Sequence, residues 1–247
     1  AAAAAMLISD NKLALDDTLA EYLPEFVGRI ENADRITLRM LLRHTSGIPD
    51  WIDDPDFPWT TSFAEVNEYL ELVLDEPAEF EPGSSYAYSN TNYLLVGDIL
   101  DKTLGYHHQQ YIQSEILAPL GLTHTFGLLG NVDATEVSSG YFIGHDGDVK
   151  MLDIVVPGGS MIATAEDTGE FLRALNDGSL FNDDEQEIYS SIYEYGHTGL
   201  WPGYSSIARY HKDMDTVVIQ FVNTSGGNSW MISEIIYNRI VRILRKQ

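Results

Sequence analysis

Pro82-Gly-Ser-Ser-Tyr-Ala-Tyr88-Ser89-Asn90-Thr-Asn-Tyr-Leu-Leu-Val-Gly-Asp-Ile-Leu-Asp-Lys-Thr-Leu104 is the stretch that decides how this chain folds. Its Pro-Gly pair signals a turn. From Thr91 onward, Tyr93, Leu94, Val96, Gly97, Ile99 and Leu100 suit a buried helix. Tyr88-Ser89-Asn90 therefore stands where a turn becomes a helix. A tyrosine there can present its hydroxyl to a cleft, and an asparagine amide can both donate and accept. Taken alone, the tripeptide reads first as an ordinary core tyrosine and a helix cap.

Working outward, residues 1–13 read as a helix without an N-cap, the later turns of a helix begun before Ala1, or else an alanine tag. Residues 36–43 have helical spacing with Thr37 as N-cap, and His44-Thr45-Ser46-Gly47-Ile48-Pro49-Asp50 stops them. A packed irregular loop over 51–62 leads to a helix over 63–75, capped by Thr61 or Ser62. Downstream, 107–117 is helical and 123–160 holds short strands and Gly-rich loops, with Asp146-Gly147 a hairpin signal. Thr164-Ala-Glu-Asp167 resembles a capping box opening a helix to about Asn176.

Ile188–Gly196, Ser205–His211 and Thr216–Asn223 read as strands, the last two joined by the turn Lys212-Asp213-Met214-Asp215. Trp230–Arg245 is an amphipathic helix with Ile232, Ile235, Ile236, Ile240, Ile243 and Leu244 on one face. The fold class expected is α/β (α+β): an antiparallel sheet flanked by helices plus a mostly helical subdomain. One domain over 1–247 is expected, with 36–180 mostly helical and the sheet in 1–35 and 181–247. Three apolar strands leave an apolar edge that invites aggregation. The sheet is thus expected to take strands from an N-terminal segment or a second chain.

Composition bounds the function. Lys plus Arg number 14 against 38 Asp plus Glu, a net charge of −24, which excludes a nucleic-acid partner that needs clustered cations. With 44% hydrophobic and 11% aromatic residues the 247-residue chain has the material for a core. There is no cysteine, hence no disulfide, thiolate metal site or cysteine nucleophile. No run reaches the length of a membrane span. His107-His108 reads as a solvated pair, since neighbours on a helix point apart. Asp146-Gly147-Asp148 has too few ligands for calcium, and Gly158-Gly159 reads as a turn. No metal or cofactor is expected.

The order of several short segments resembles the serine hydrolases of the penicillin-recognising fold, a family of class C β-lactamases, D-alanyl-D-alanine carboxypeptidases, D-aminopeptidases and related esterases. The segments are Lys12–Asp17, Ile36–Ile48, Pro82–Tyr93, Pro119–Leu122, Gly158–Asp167, and Gly196-His-Thr-Gly199 with Pro202-Gly-Tyr-Ser-Ser206. The resemblance implies a β-lactamase/transpeptidase-like fold and an acyl-enzyme hydrolysis of an amide or ester. It implies that Tyr88 shuttles a proton, that Asn90 bonds a catalytic lysine and the substrate amide, and that His197 supports Tyr88. Thr198 would bind the substrate carboxylate or carbonyl on the strand it shares with Gly199, and Leu200 would offer an oxyanion N–H. His197 and Ser89 look more like the carboxypeptidase, aminopeptidase and esterase branches. Relatives of this kind are often periplasmic or extracellular.

One element of the pattern is missing. The family's nucleophile is the serine of Ser-x-x-Lys, which would fall upstream of Ala1, as would the first two strands. Ser9-Asp10-Asn11-Lys12 fits the letters but lies at the far end of its helix. The alternative expectation is an inactive fragment or pseudoenzyme that binds a peptide or protein partner.

Overall fold

The computed structural model describes residues 1–247 except 56, 58, 60–65, 153–154, 194–195 and 247. The quoted stretch forms what its spacing predicts. In chain order, the helices are α1 (Ala2–Ser9), α2 (Leu19–Tyr22), α3 (Leu38–Leu42), α4 (Val66–Glu71), α5 (Asn90–Leu104), α6 (His108–Ile112), α7 (Ala165–Asp177), α8 (Asp183–Ile192) and α9 (Ser229–Leu244). α5 buries Leu94, Leu95, Val96, Ile99 and Leu100 and ends at Gly105 in the left-handed conformation, which only glycine adopts at low cost. Thr37 caps α3 by accepting from Met40 N. α6 runs on into one π turn over Gln113–Leu117.

The strands are β1 (Thr125–Phe126), β2 (Tyr141–Phe142), β3 (Ile162–Ala163), β4 (Gly196–Trp201), β5 (Tyr204–His211), β6 (Thr216–Val222) and β7 (Thr224–Ser225). β4-β5-β6 form an antiparallel sheet in chain order. Alternation along β5 and β6 divides the sheet. Ala208 and Ile219 pack into the main core, while Ile207 and Val218 pack with Tyr237 and Val241 of α9. α7 and α9 thus lie against this sheet, and the helices of the first half fill the main core. The mixed architecture is the one expected.

Several local expectations are corrected. Ile188–Ile192 is helix, not strand. Asn182 opens α8 with a reciprocal box, its Oδ1 accepting from Glu185 N at 3.0 Å and its own N donating to Glu185 Oε2 at 2.9 Å. With three acids in the first turn, the box and the helix dipole outweigh the β preference of Ile188, Tyr189 and Ile192. Among the described residues the strand is seen from Gly196 onward. Thr164 does cap α7, but Asp167 does not close a box. Its carboxylate accepts from His124 N and Thr125 Oγ1, fastening α7 to β1. β2 pairs in parallel with β7 rather than across an Asp146-Gly147 hairpin.

Two helices end earlier than their periodicity suggests. α1 stops at Ser9, with Asn11 at φ 58°, and α4 ends at Glu71 rather than 75, its expected start and caps lying outside the described residues. α9 packs by Ser233, Tyr237 and Val241, and the isoleucine face is left in solvent, Ile235 60% exposed against 2% for Tyr237.

Candidate catalytic cluster

The run from Tyr88 to Asn92 is held by the loop that follows α3. His44 leaves α3 at a positive φ of 55°, and its carbonyl accepts from Ala87 N at 3.1 Å. Its ring lies 4.3 Å from that of Tyr88 and 5.3 Å from that of Tyr93, centre to centre. Gly47 sits at φ 82°, and a Cβ there would meet the Phe80 carbonyl oxygen at 2.2 Å, so only glycine fits. Beyond it, the Pro49 carbonyl accepts from Thr91 Oγ1 at 2.7 Å and from Ser89 Oγ at 3.3 Å. Ser46 Oγ donates to Asn92 Oδ1 at 2.6 Å. The quartet His44-Thr45-Ser46-Gly47, which reads as a structural turn in the sequence, is thus the cradle of Tyr88-Ser89-Asn90.

The electrostatics follow from burial. Ser89 N donates to His44 Nδ1 at 3.2 Å, an arrangement open only to a ring nitrogen without a proton. Burial, with the nearby His197 adding, pushes the His44 imidazole down to about 4, so the ring is neutral at physiological pH. Asp50 is buried, its Oδ2 accepts from Asn90 Nδ2 at 2.8 Å, and burial raises its carboxyl above the ordinary range. Burial first, and then the Asp50 charge, raise the Tyr88 phenol, so Tyr88 holds its proton at neutral pH.

Of the residues singled out in the sequence, Tyr88 and His197 are brought together from positions far apart in the chain. Their rings lie 5.9 Å apart, and that of Tyr193 stacks on His197 at 6.2 Å. Asn90 starts α5 beside Tyr88, its amide oriented by Asp50. The His197 ring Nδ1 lies against its neighbour Thr198's carbonyl oxygen. Thr198 pairs with Ile207 and His197 with Ala208, so the two side chains take opposite faces of the sheet. A Cβ on Gly199 would lie 2.5 Å from Ser206 Oγ, a contact that leaves room only for glycine unless Ser206 turns. Leu200 is exposed. β4 pairs only with β5 among the described residues, which leaves N–H groups on its outer edge.

Three residues of the cluster are not singled out for the site in the sequence: His44, Asp50 and Tyr193. His44 lies in a motif, but its contact with Tyr88 is made in space. Two cavities, of about 450 and 690 Å³, lie elsewhere, one lined by Glu25, Leu70, Asp98 and Lys102 and one by residues 27–34 and 75–77. Tyr88, 45% exposed, stands on an open face instead.

Comparison with known proteins gives a consistent pattern. The model of the Beta-lactamase family matches residues 1–191, a span that includes Tyr88 and Asn90 and stops short of β4. A protein of Escherichia coli (strain K12) named as a D-alanyl-D-alanine carboxypeptidase is 33% identical over 128 residues, 48% of this chain and 29% of that protein. The chain thus matches less than a third of that curated relative. Among solved structures, a D-stereospecific amidohydrolase from Streptomyces sp. superposes with a TM-score of 0.79 at 25% identity, covering 90% of this chain and 78% of that one. The D-amino acid amidase from Ochrobactrum anthropi SV3, complexed with D-phenylalanine, gives 0.83 at 21% identity, over 98% and 88%. A penicillin binding protein from Bacillus halodurans gives 0.77 at 21%, over 95% and 80%. The last two speak for the fold, which extends through β4, β5 and β6.

Proposed function

This chain belongs to the beta-lactamase family, and from that premise we propose that it is a serine hydrolase that cleaves an amide or ester through an acyl-enzyme, with D-amino-acid peptides or amides as substrates. The observation that carries the reading is the meeting of Tyr88 and His197 beside an Asn90 whose amide is already oriented. Asn90 Nδ2 is committed to Asp50. Its Oδ1 is left to accept, from a lysine ammonium or from a substrate N–H. The family's nucleophile is the serine of a Ser-x-x-Lys motif, and on this proposal an N-terminal segment or second chain would supply it and pair with the open sheet. Ser9 with Lys12 does not serve, because Lys12 Nζ pairs with Asp10 at 3.1 Å beyond the end of α1.

In this reaction the serine Oγ attacks the substrate carbonyl carbon, and its proton passes to the lysine. The oxyanion accepts from the Leu200 N–H and the nucleophile's own N–H. Collapse of the tetrahedral intermediate breaks the bond to the leaving group, which takes a proton from Tyr88. Water then attacks the acyl ester and gives a proton to the Tyr88 phenolate, while the departing serine Oγ takes its proton back from the lysine and the acid is freed. Tyr88 fits the donor role because its phenol holds its proton at neutral pH, and a lysine ammonium beside it would ease the donation by stabilising the phenolate. Thr198 holds the substrate carboxylate. The D-amino-acid class rests on the names of the similar amidase, amidohydrolase and carboxypeptidase.

The test is covalent labelling of the full-length protein with a fluorescent penicillin or a fluorophosphonate, together with turnover of D-amino-acid amides. Tyr88→Phe should lower kcat by about a hundredfold or more while leaving the Tm nearly in place. Comparable losses of turnover and stability would make Tyr88 structural. A full-length chain that carries Ser-x-x-Lys and binds such ligands, yet takes no label and turns nothing over, would be a pseudoenzyme.

A further inference from the structure

The corner between α5 and α6 gathers three metal-ligating side chains that the proposed chemistry does not use. Asp101 lies in the last turn of α5, Gly105 turns the chain, and His107 and His108 open α6. His107 is the N-cap, with φ −63° and ψ 127°, not a residue inside the helix. The rule that helical neighbours point apart therefore does not apply to this pair. The two rings stack instead, centres 4.5 Å apart. Nor are both solvated: His107 is exposed, but His108 is only 4% exposed.

One donor atom from each of Asp101, His107 and His108 lies within 4.8 Å of the other two. His108 is wedged in place. An added Cβ on Gly97 would lie 3.4 Å from His108 Cε1 and 2.4 Å from Pro157 Cγ. Its Nε2 is buried without a hydrogen-bond partner, so the ring's polar contact is made through Nδ1, 2.7 Å from Asp101 Oδ1. Asp101 Oδ1 also accepts from His108 N at 2.5 Å, which fixes the carboxylate. Asp101 lines the 450 Å³ cavity together with Asp98 and the ion pairs Glu25–Lys102 and Glu71–Arg29.

We propose that Asp101, His107 and His108 form a binding site for a divalent ion of the zinc class. Two imidazoles and one carboxylate are the donor set that such ions take. Calcium and magnesium want more oxygens than this corner offers. Zinc at about 2.0–2.1 Å from each ligand needs the donors closer than 4.8 Å. His107, exposed at the corner, is the ligand that turns inward to close the site. Bound metal would clamp α5 to α6 at the end of α5 opposite Asn90, about 16 Å away at the helical rise.

The test needs no enzymatic turnover. The full chain is stripped with EDTA and titrated with Zn²⁺ by calorimetry and with Co²⁺ by visible absorption. The wild type is compared with His107→Asn and His107→Ser. His107 Nδ1 accepts from Gln109 N at 3.2 Å, and asparagine or serine preserves that cap, so the metal-free Tm should stay. The expected result is saturable one-to-one binding with a zinc-dependent rise in Tm, weakened by more than about tenfold in both variants. Absence of saturable binding, unchanged affinity in both variants, or equal competition by Mg²⁺ would each overturn the site.

Discussion

His44 shows how one residue couples the fold to the candidate chemistry. It ends α3, backs Tyr88 with its ring, and accepts the Ser89 amide on a nitrogen that must stay unprotonated. An unfolded histidine takes up its proton near 6.5, and the folded one does so only at about 4. Between those values the unfolded chain binds more protons. The stability conferred by a neutral His44 is therefore whole above 6.5 and drains away as the pH falls through that window. The advantage of wild type over His44→Gln should shrink by roughly 2–3 kcal/mol between about pH 7 and 4.5, read from denaturant unfolding of both proteins. A pH-independent difference would show that the ring only fills space. None of this is visible in the sequence, where His44 is one letter of a turn. Tyr88, Asn90 and His197 were legible there because they sit in short motifs with a fixed order. Asp50 and Tyr193 were not, because only folding brings them to the cluster.

At the scale of elements, period and caps decided most of the outcome. α5 follows from its apolar spacing and Gly105, and α3 from Thr37. Where two signals competed, the capping box at Asn182 won over β-forming residues, and Ile188–Ile192 became helix. α9 teaches a different lesson. Its pattern marks an isoleucine stripe as the packing face, yet the sheet is covered by Tyr237 and Val241. Tyr237 adds polar ties, its hydroxyl 2.8 Å from His211 Nε2 and donating to the Val218 carbonyl at 3.3 Å. Tyr237→Ala should therefore lower stability by roughly 3 kcal/mol or more, and Ile235→Lys by less than about 0.5 kcal/mol, measured by urea unfolding. Comparable losses would mean that the isoleucine stripe is covered in solution.

For the whole molecule the dominant quantity is the charge of −24. The carboxylate pairs with Arg29, Arg35, Arg39, Lys102, Arg173 and Arg245 all lie at the surface. Each is worth about 0–1 kcal/mol and weakens with salt. The repulsion among the remaining acids is spread over the entire surface and weakens too, as the screening length falls from about 30 Å at 0.01 M to about 10 Å at 0.1 M salt. With 38 acids against 14 cations, repulsion outweighs attraction. The Tm should rise over that range of sodium chloride. A fall would mean that the ion pairs, notably the bidentate Arg173–Asp215 contact that ties α7 to the turn after β5, dominate instead.

The sequence by itself determined the family, the α+β class and the main helices, because these depend on local order: apolar period, cap residues, glycines at turns and short motifs. Tertiary structure alone decided which motifs meet. A strand starting at Gly196 carries His197 to within 5.9 Å of Tyr88. A buried carboxylate orients Asn90, and a helix cap stacks two histidines that a continuous helix would have parted. Those outcomes depend on contacts between residues distant in the chain and on burial, and neither is encoded in the spacing of any one segment.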